Sequence, residues 1–129
     1  MRFLLDTHIL IWALAEPNKL PAATRAAIED QANEILFSAA SIWEIAIKTQ
    51  LRRFPSAVAP EEIARAASAT GFEELPIHSA ASAHVAKLPM HHRDPFDRIL
   101  IAQAICEPAR LLTADRQLTR YSDLVTLAE

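Results

Sequence analysis

The sequence is expected to fold as an α/β domain in three layers, a mainly parallel sheet flanked on both sides by helices. Two observations predict this. Short β-rich runs alternate along the chain with longer stretches of helical period, the order that crossover connections between parallel strands require. A single glycine in 129 residues, together with abundant alanine, leans the connections toward helix. A chain of this length can bury one core and is too short for two ordinary domains, so residues 1–129 are expected to form one domain.

The first strand is expected at Arg2-Phe3-Leu4-Leu5. A helix follows from about Thr7, with Asp6 or Thr7 as its cap, and stops before Glu16-Pro17. Leu20 to Ala32 reads as a second helix, amphipathic through Ala23, Ala27 and Ile28. Glu34 to Phe37 is the second strand. Ser38 or Ser41 can cap the next helix, which ends near Leu51 ahead of a turn containing Arg53-Phe54-Pro55. Pro60 suits the first turn of a helix from Glu61 to about Thr70, ended by Gly71. A short strand at Glu73 to Leu75 and a helix from Ser79 to Lys87 come next. The loop Leu88 to Asp94 carries His91, His92 and Arg93. Pro95 starts the most apolar helix, Phe96 to Cys106, which stops before Pro108. Arg110 to Thr113 is a strand, Asp115 to Tyr121 a short helix and Leu124 to Leu127 a last strand.

Composition narrows the function classes. At 51% hydrophobic and 22% charged, with no low-complexity tract, the chain is a folded protein rather than a disordered one. Its one cysteine, Cys106, cannot form an internal disulfide and is expected to behave as a small hydrophobe. The start of the chain has a superficial likeness to a signal peptide, but Asp6 and His8 interrupt the apolar run. No stretch approaches the roughly 18 apolar residues of a membrane span, and a cytoplasmic location is expected. The net charge of −3 runs against the basic surface that nucleic acids usually demand. Neutralising four acids on a cation would leave the remainder at +1, with Arg93, Arg98, Arg116 and Arg120 flanking the acids in sequence.

Those acids are the candidate site. In open parallel sheets, ligands bind outside the carboxyl ends of the strands, and Asp6 and Asp115 each follow an apolar strand. The alternative for either is a helix cap. Glu44 lies within Ile42-Trp43-Glu44-Ile45-Ala46-Ile47, on a face continued by Ile47 and Leu51, so its carboxylate needs a partner. Lys48, one turn on, offers an ordinary ion pair. Asp97 precedes Leu100, Ile101, Ala104 and Ile105 at helical spacing and faces the core side. Asp94 stands on nearly the same face or caps the helix ahead of Pro95. Two carboxylates about 5 Å apart at an effective dielectric of about 20 repel by roughly 3 kcal/mol, so convergence of these acids calls for a cation. All-oxygen ligation favours Mg2+, or Mn2+, over zinc. Such an ion supports phosphodiester hydrolysis without a covalent intermediate.

Four blocks, taken in order, resemble one known family. They are Leu4-Leu5-Asp6-Thr7-His8; Ser38-Ala39-Ala40-Ser41-Ile42-Trp43-Glu44-Ile45-Ala46-Ile47-Lys48; His91-His92-Arg93-Asp94-Pro95-Phe96-Asp97-Arg98-Ile99-Leu100-Ile101-Ala102-Gln103-Ala104; and Leu111-Leu112-Thr113-Ala114-Asp115. Together they resemble the PIN-domain ribonucleases, and within them the VapC toxins of bacterial toxin–antitoxin pairs, essentially end to end. The resemblance implies a PIN-like fold and a magnesium-dependent endoribonuclease whose catalytic, metal-binding acids fall on Asp6, Glu44, Asp97 and Asp115. Thr7 and Thr113 match small hydroxyl residues that accompany those acids. The partners it implies are an RNA substrate, a cognate VapB-type antitoxin that inserts a C-terminal segment into the groove, and a second copy in a homodimer. Where many relatives carry one acid, Asp94-Pro95-Phe96-Asp97 offers two, and the helical face favours Asp97.

The remaining candidates read more plainly. His91 and His92 are expected to be solvated loop residues, with phosphate contact or metal ligation as the alternative. His8 is expected to pack within the first helix, and Trp12 and Trp43 to serve as core or dimer surface. No glycine-rich phosphate loop is present. A receiver domain would need an aspartate after a central strand, where this chain has Ser38. A haloacid-dehalogenase-like phosphatase would need an aspartate at His8. A non-catalytic PIN-fold binding module is disfavoured because every expected acid is present.

Overall fold

Alternation in the strands dictates the layers. In a computed structural model that describes residues 1–53 and 59–129, five strands form one sheet: β1 (Arg2–Leu5), β2 (Glu34–Ser38), β3 (Glu73–Leu75), β4 (Arg110–Thr113) and β5 (Val125–Leu127). Every pairing is parallel, in the order β3-β2-β1-β4-β5. Successive side chains point to opposite faces, so Phe3, Leu5, Ile35, Phe37 and Leu112 join one core while Leu4, Leu36 and Leu111 join the other. Both faces are apolar because both are covered.

Helices α1 (Thr7–Ala15), α2 (Ala22–Glu29) and α4 (Pro60–Thr70) close the first face through Ile9, Leu10, Ile28, Ile63 and Ala67. Helices α5 (Ser79–His84) and α6 (Pro95–Cys106) close the second through Ala81, Leu100, Ile101 and Ala104. Between them α3 (Ala39–Gln50) leaves the end of β2, sending Ala40 to one core and Ile45 to the other.

The expected elements are present, with shifts that have local causes. The second helix is shorter than Leu20–Ala32. Pro17–Lys19 forms a separate 3-10 turn before it, and the Asp30 side chain accepts from the Ala32 N–H, a turn bond that competes with further helix. The segment Ser79–Lys87 is α5 followed by a 3-10 turn, and the expected helix Asp115–Tyr121 is a 3-10 turn over Arg116–Arg120. In the expected turn at Arg53-Phe54-Pro55, Phe54 and Pro55 lie outside the described residues. Cys106 is exposed rather than packed, since it ends α6.

Sheet order decides where a ligand can sit. The chain runs outward from β1 to β2 and β3, then returns to add β4 and β5 on the other side, so crossovers diverge at the β1–β4 seam. A crevice forms outside the carboxyl ends of strands at such a reversal. Asp6 and Asp115 stand at that edge.

Gly71 ends α4 in the left-handed region, φ 100°, with its own N–H bonded to Ser68 O and that of Phe72 to Ala67 O. A Cβ there would meet nothing within 4 Å. Gly71→Ala therefore isolates backbone strain and is expected to destabilise the chain by about 1–2 kcal/mol, read as a lower urea midpoint. An unchanged midpoint would contradict this reading of the cap.

Candidate active site

Each acid reaches the β1–β4 crevice from a different element. Asp6 leaves β1 with its N–H bonded to Leu112 O of β4 at 3.0 Å, and its side chain serves as the cap of α1 by accepting from the Ile9 N–H at 3.0 Å. Its other oxygen accepts from the Thr113 hydroxyl. The Thr113 Oγ1 in turn accepts from the Asp115 N–H at 3.0 Å, so one buried hydroxyl at the end of β4 ties the Asp6 carboxylate to the Asp115 backbone. Asp115 also caps the 3-10 turn, accepting from Gln117 N–H at 2.9 Å. Capping and the site position, offered by the sequence as alternatives for these aspartates, coincide.

Glu44 is only 3% exposed, in keeping with its place on the apolar face of α3. Thr7 donates to its Oε1 at 2.5 Å and shares a further hydrogen bond of 2.9 Å with Ser41. Lys48 bonds the second oxygen, so the ordinary ion pair is present too. Asp94 caps α6, accepting from Phe96 N–H at 2.8 Å and Asp97 N–H at 3.3 Å. Asp97 projects from the first turn of α6. Asp6, Glu44, Asp94, Asp97 and Asp115 thus line one cleft of about 270 Å³, with Lys48 as its lysine.

A larger cavity, about 610 Å³, lies at the opposite end of β2 and β3. Two of its acids are paired locally, Glu29 to Arg25 at 2.9 Å and Glu34 to Arg2 at 2.8 Å. The smaller cleft concentrates unmatched charge.

Three side chains that the sequence did not single out as a group complete the site. His92 Nε2 stands 3.7 Å from Asp97 Oδ2 and 3.6 Å from Asp115 Oδ2. These three ligand-type atoms lie within 4.8 Å of one another. Arg98 is buried, and its guanidinium donates to the carbonyls of Val85, Leu88, Pro89 and His92 and lies 3.2 Å from the Tyr121 hydroxyl. That hydroxyl also accepts from the His92 N–H at 2.8 Å. Only a folded loop can gather four carbonyls, and the sequence carries no signal of it. His8, expected to pack, is exposed, with its ring 6.1 Å from that of Trp12. Trp43 is 57% exposed and edge-on to Phe96, which fits surface rather than core.

Residues 3–124 match the PIN domain family model. The chain belongs to the PIN domain family. It is 34% identical over 122 residues to Ribonuclease VapC22 of Mycobacterium tuberculosis, a match covering 92% of this chain and 90% of the other. The fold is shared with VapBC2 from Rickettsia felis bound to a promoter DNA fragment, at a TM-score of 0.72 and 15% identity, with all of both chains covered. DNA-bound VapBC from Salmonella typhimurium follows at 0.66 and 14% identity, over 98% of this chain and 96% of that one.

Charge crowding in this PIN domain changes the acids themselves. Burial raises the Asp97 pKa to about 7, and the neighbouring charges of Asp94, Glu44, Asp6 and Asp115 push the same way. Burial also raises Asp6, against the opposing hydrogen bonds from Ile9 and Thr113. Burial disfavours the Lys48 ammonium, but Glu44 and the other acids outweigh it and its pKa rises.

The folded-state pKa of Asp97 lies above its ordinary value of 3.8, so the folded chain holds a proton that the unfolded chain has released. Without a cation, stability is expected to fall as pH rises between about 4 and 7, because ionising Asp97 places a charge in a buried position and adds repulsion from its neighbours. A divalent cation offsets that penalty and competes with the proton. The rise in Tm on adding magnesium chloride is therefore expected to be larger at about pH 8 than at about pH 5.5. Equal shifts at both values would contradict this account.

Proposed function

We propose that this chain is a metal-dependent endoribonuclease that hydrolyses RNA phosphodiester bonds and forms the toxin half of a toxin–antitoxin pair. The observation that carries the reading is the convergence of five carboxylates on one cleft beside a single lysine. Its family membership and its likeness to Ribonuclease VapC22 support the activity. Structural neighbours whose names join VapB to VapC support a VapB-type antitoxin as partner. A homodimer and a cytoplasmic location belong to the same reading; among the described residues, no helix is long and apolar enough to cross a membrane.

The donor set fits a hard cation. Asp6, Asp97 and Asp115 present carboxylate oxygens whose charge no lysine or arginine within the cleft pairs, and such oxygens suit Mg2+, with Mn2+ as the nearest substitute. When bound, the ion supplies positive charge to the phosphate and makes water a better nucleophile. The chain's own groups do the rest. Thr113 holds the Asp6 carboxylate beside the Asp115 backbone. Thr7 and Lys48 engage both oxygens of Glu44, which holds this buried carboxylate in one orientation and balances its charge. Asp94 caps α6 with one oxygen, as Asp6 and Asp115 cap α1 and the 3-10 turn, and adds its charge to the same cleft. In this reading the metal-binding and catalytic set is Asp6, Glu44, Asp97 and Asp115, with Glu44 held by Thr7 and Lys48 and the other three left to meet the ion's charge.

Purified free of antitoxin, the protein is expected to cut single-stranded RNA with magnesium and to stop when the ion is chelated. Asp6→Asn should fall to background. Thr113→Val, which keeps every acid but removes the hydroxyl that holds the Asp6 carboxylate and the Asp115 backbone N–H, should weaken magnesium binding by about 10- to 100-fold. Cleavage that survives chelation, or that is equal in Asp6→Asn, would overturn the mechanism.

A further inference from the structure

His92 is held at every polar atom except the one that faces the acids. Its N–H is bonded to the Tyr121 hydroxyl at 2.8 Å, and its carbonyl receives Arg98 Nη1 at 3.4 Å and the same hydroxyl at 3.3 Å. On the ring, Nδ1 accepts the Asp94 N–H at 3.0 Å. An atom that accepts a backbone N–H carries no proton of its own, so the imidazole proton must sit on Nε2. Nε2–H therefore points toward the Oδ2 atoms of Asp97 and Asp115, and at 3.6–3.7 Å neither contact is short enough for a hydrogen bond.

This tautomer is wrong for a metal ligand. Ligation through Nε2 needs a lone pair there and a proton on Nδ1, which would break the bond to Asp94 N–H and leave two hydrogens facing each other. A cation between the carboxylates cannot accept from the Nε2–H either, and it draws the carboxylate lone pairs toward itself. The anion left to receive this N–H is the substrate's phosphate. We infer that His92 is a substrate-binding catalytic residue that donates its Nε2–H to the scissile phosphate, with Arg98 and Tyr121 as the residues that position it. The inference rests on the RNA-cleaving role proposed above. It requires no proton transfer: the N–H stays on the ring and stabilises negative charge on a phosphate oxygen.

Arg98 suits the positioning task because its bonds span the whole approach to His92. It ties Val85, Leu88 and Pro89 to α6 in addition to His92 itself. The loop is anchored mainly through backbone atoms, and His92→Ala removes from it only the ring's bond to the Asp94 N–H, so the variant is expected to fold.

Three measurements test the assignment. Nitrogen NMR of the ring, identified by its absence in His92→Gln, should show an unprotonated Nδ1 and a protonated Nε2, both unchanged when magnesium is added. Calorimetry should give magnesium affinities for wild type and His92→Ala within about twofold, as for a residue that is not a ligand. RNA cleavage by His92→Ala should lose about 10- to 100-fold in kcat/KM, the scale of one hydrogen bond to a charged group, with Tyr121→Phe falling between it and wild type. A proton that moves to Nδ1 on adding magnesium, a tenfold loss of ion affinity, or wild-type kcat/KM in His92→Ala would each overturn the inference. A wild-type chain that cuts no RNA would sink the functional reading and this inference with it, whereas the preceding failures leave the nuclease itself standing.

Discussion

Like charges gathered at the seam between β1 and β4 are the constraint to which the rest of the structure answers. Carboxylates about 5 Å apart repel by roughly 3 kcal/mol at an effective dielectric near 20, and the burial of Asp6 and Glu44 removes much of the water that would screen them. Asp97 responds by holding its proton up to about pH 7. Such a cluster persists because its members are fixed from elements packed for other reasons: Asp6 by the β1–β4 ladder, Glu44 by the apolar face of α3, Asp97 by the first turn of α6. The two cores that flank the sheet supply the stability against which this local repulsion is held.

Polar partners around the cluster divide the charge unevenly. Glu44 meets Thr7 and Lys48, whereas Asp6, Asp97 and Asp115 have hydroxyls, backbone N–H groups or a distant imidazole proton and, among the described residues, no ion pair with lysine or arginine. The deficit is concentrated between the strand ends and α6. Adjacent residues on that helix face opposite tasks. Asp97 turns toward the cleft, while Arg98 turns inward and gathers the carbonyls of the loop that brings His92 to the cleft rim.

Most of the site was legible because it follows from local rules. Strand-end position marks Asp6, and a carboxylate on an apolar helical face marks Glu44 and Asp97; each of these depends only on period and on where a strand stops. Asp115 needed the resemblance as well, since the segment after it forms a 3-10 turn with little pattern of its own. The strand positions were legible to within a residue, as was the glycine that ends α4. What could not be read is what depends on tertiary placement. The order of strands is one such feature; others are the carbonyls around Arg98, 6 to 13 positions from it in sequence, and the Tyr121 hydroxyl that holds His92 from 29 positions away. His8 and Cys106 are exposed for a simpler reason, since His8 lies on the outer side of α1 and Cys106 in the last turn of α6.

The central claim, that these acids converge to hold one cation site, is tested most directly by soaking crystals of the protein in manganese chloride and measuring anomalous scattering. The account predicts a peak among the carboxylates of Asp6, Asp97 and Asp115. A peak confined to the acids of the larger cavity around Glu29 and Glu34, or none in the cleft at saturating ion, would contradict it.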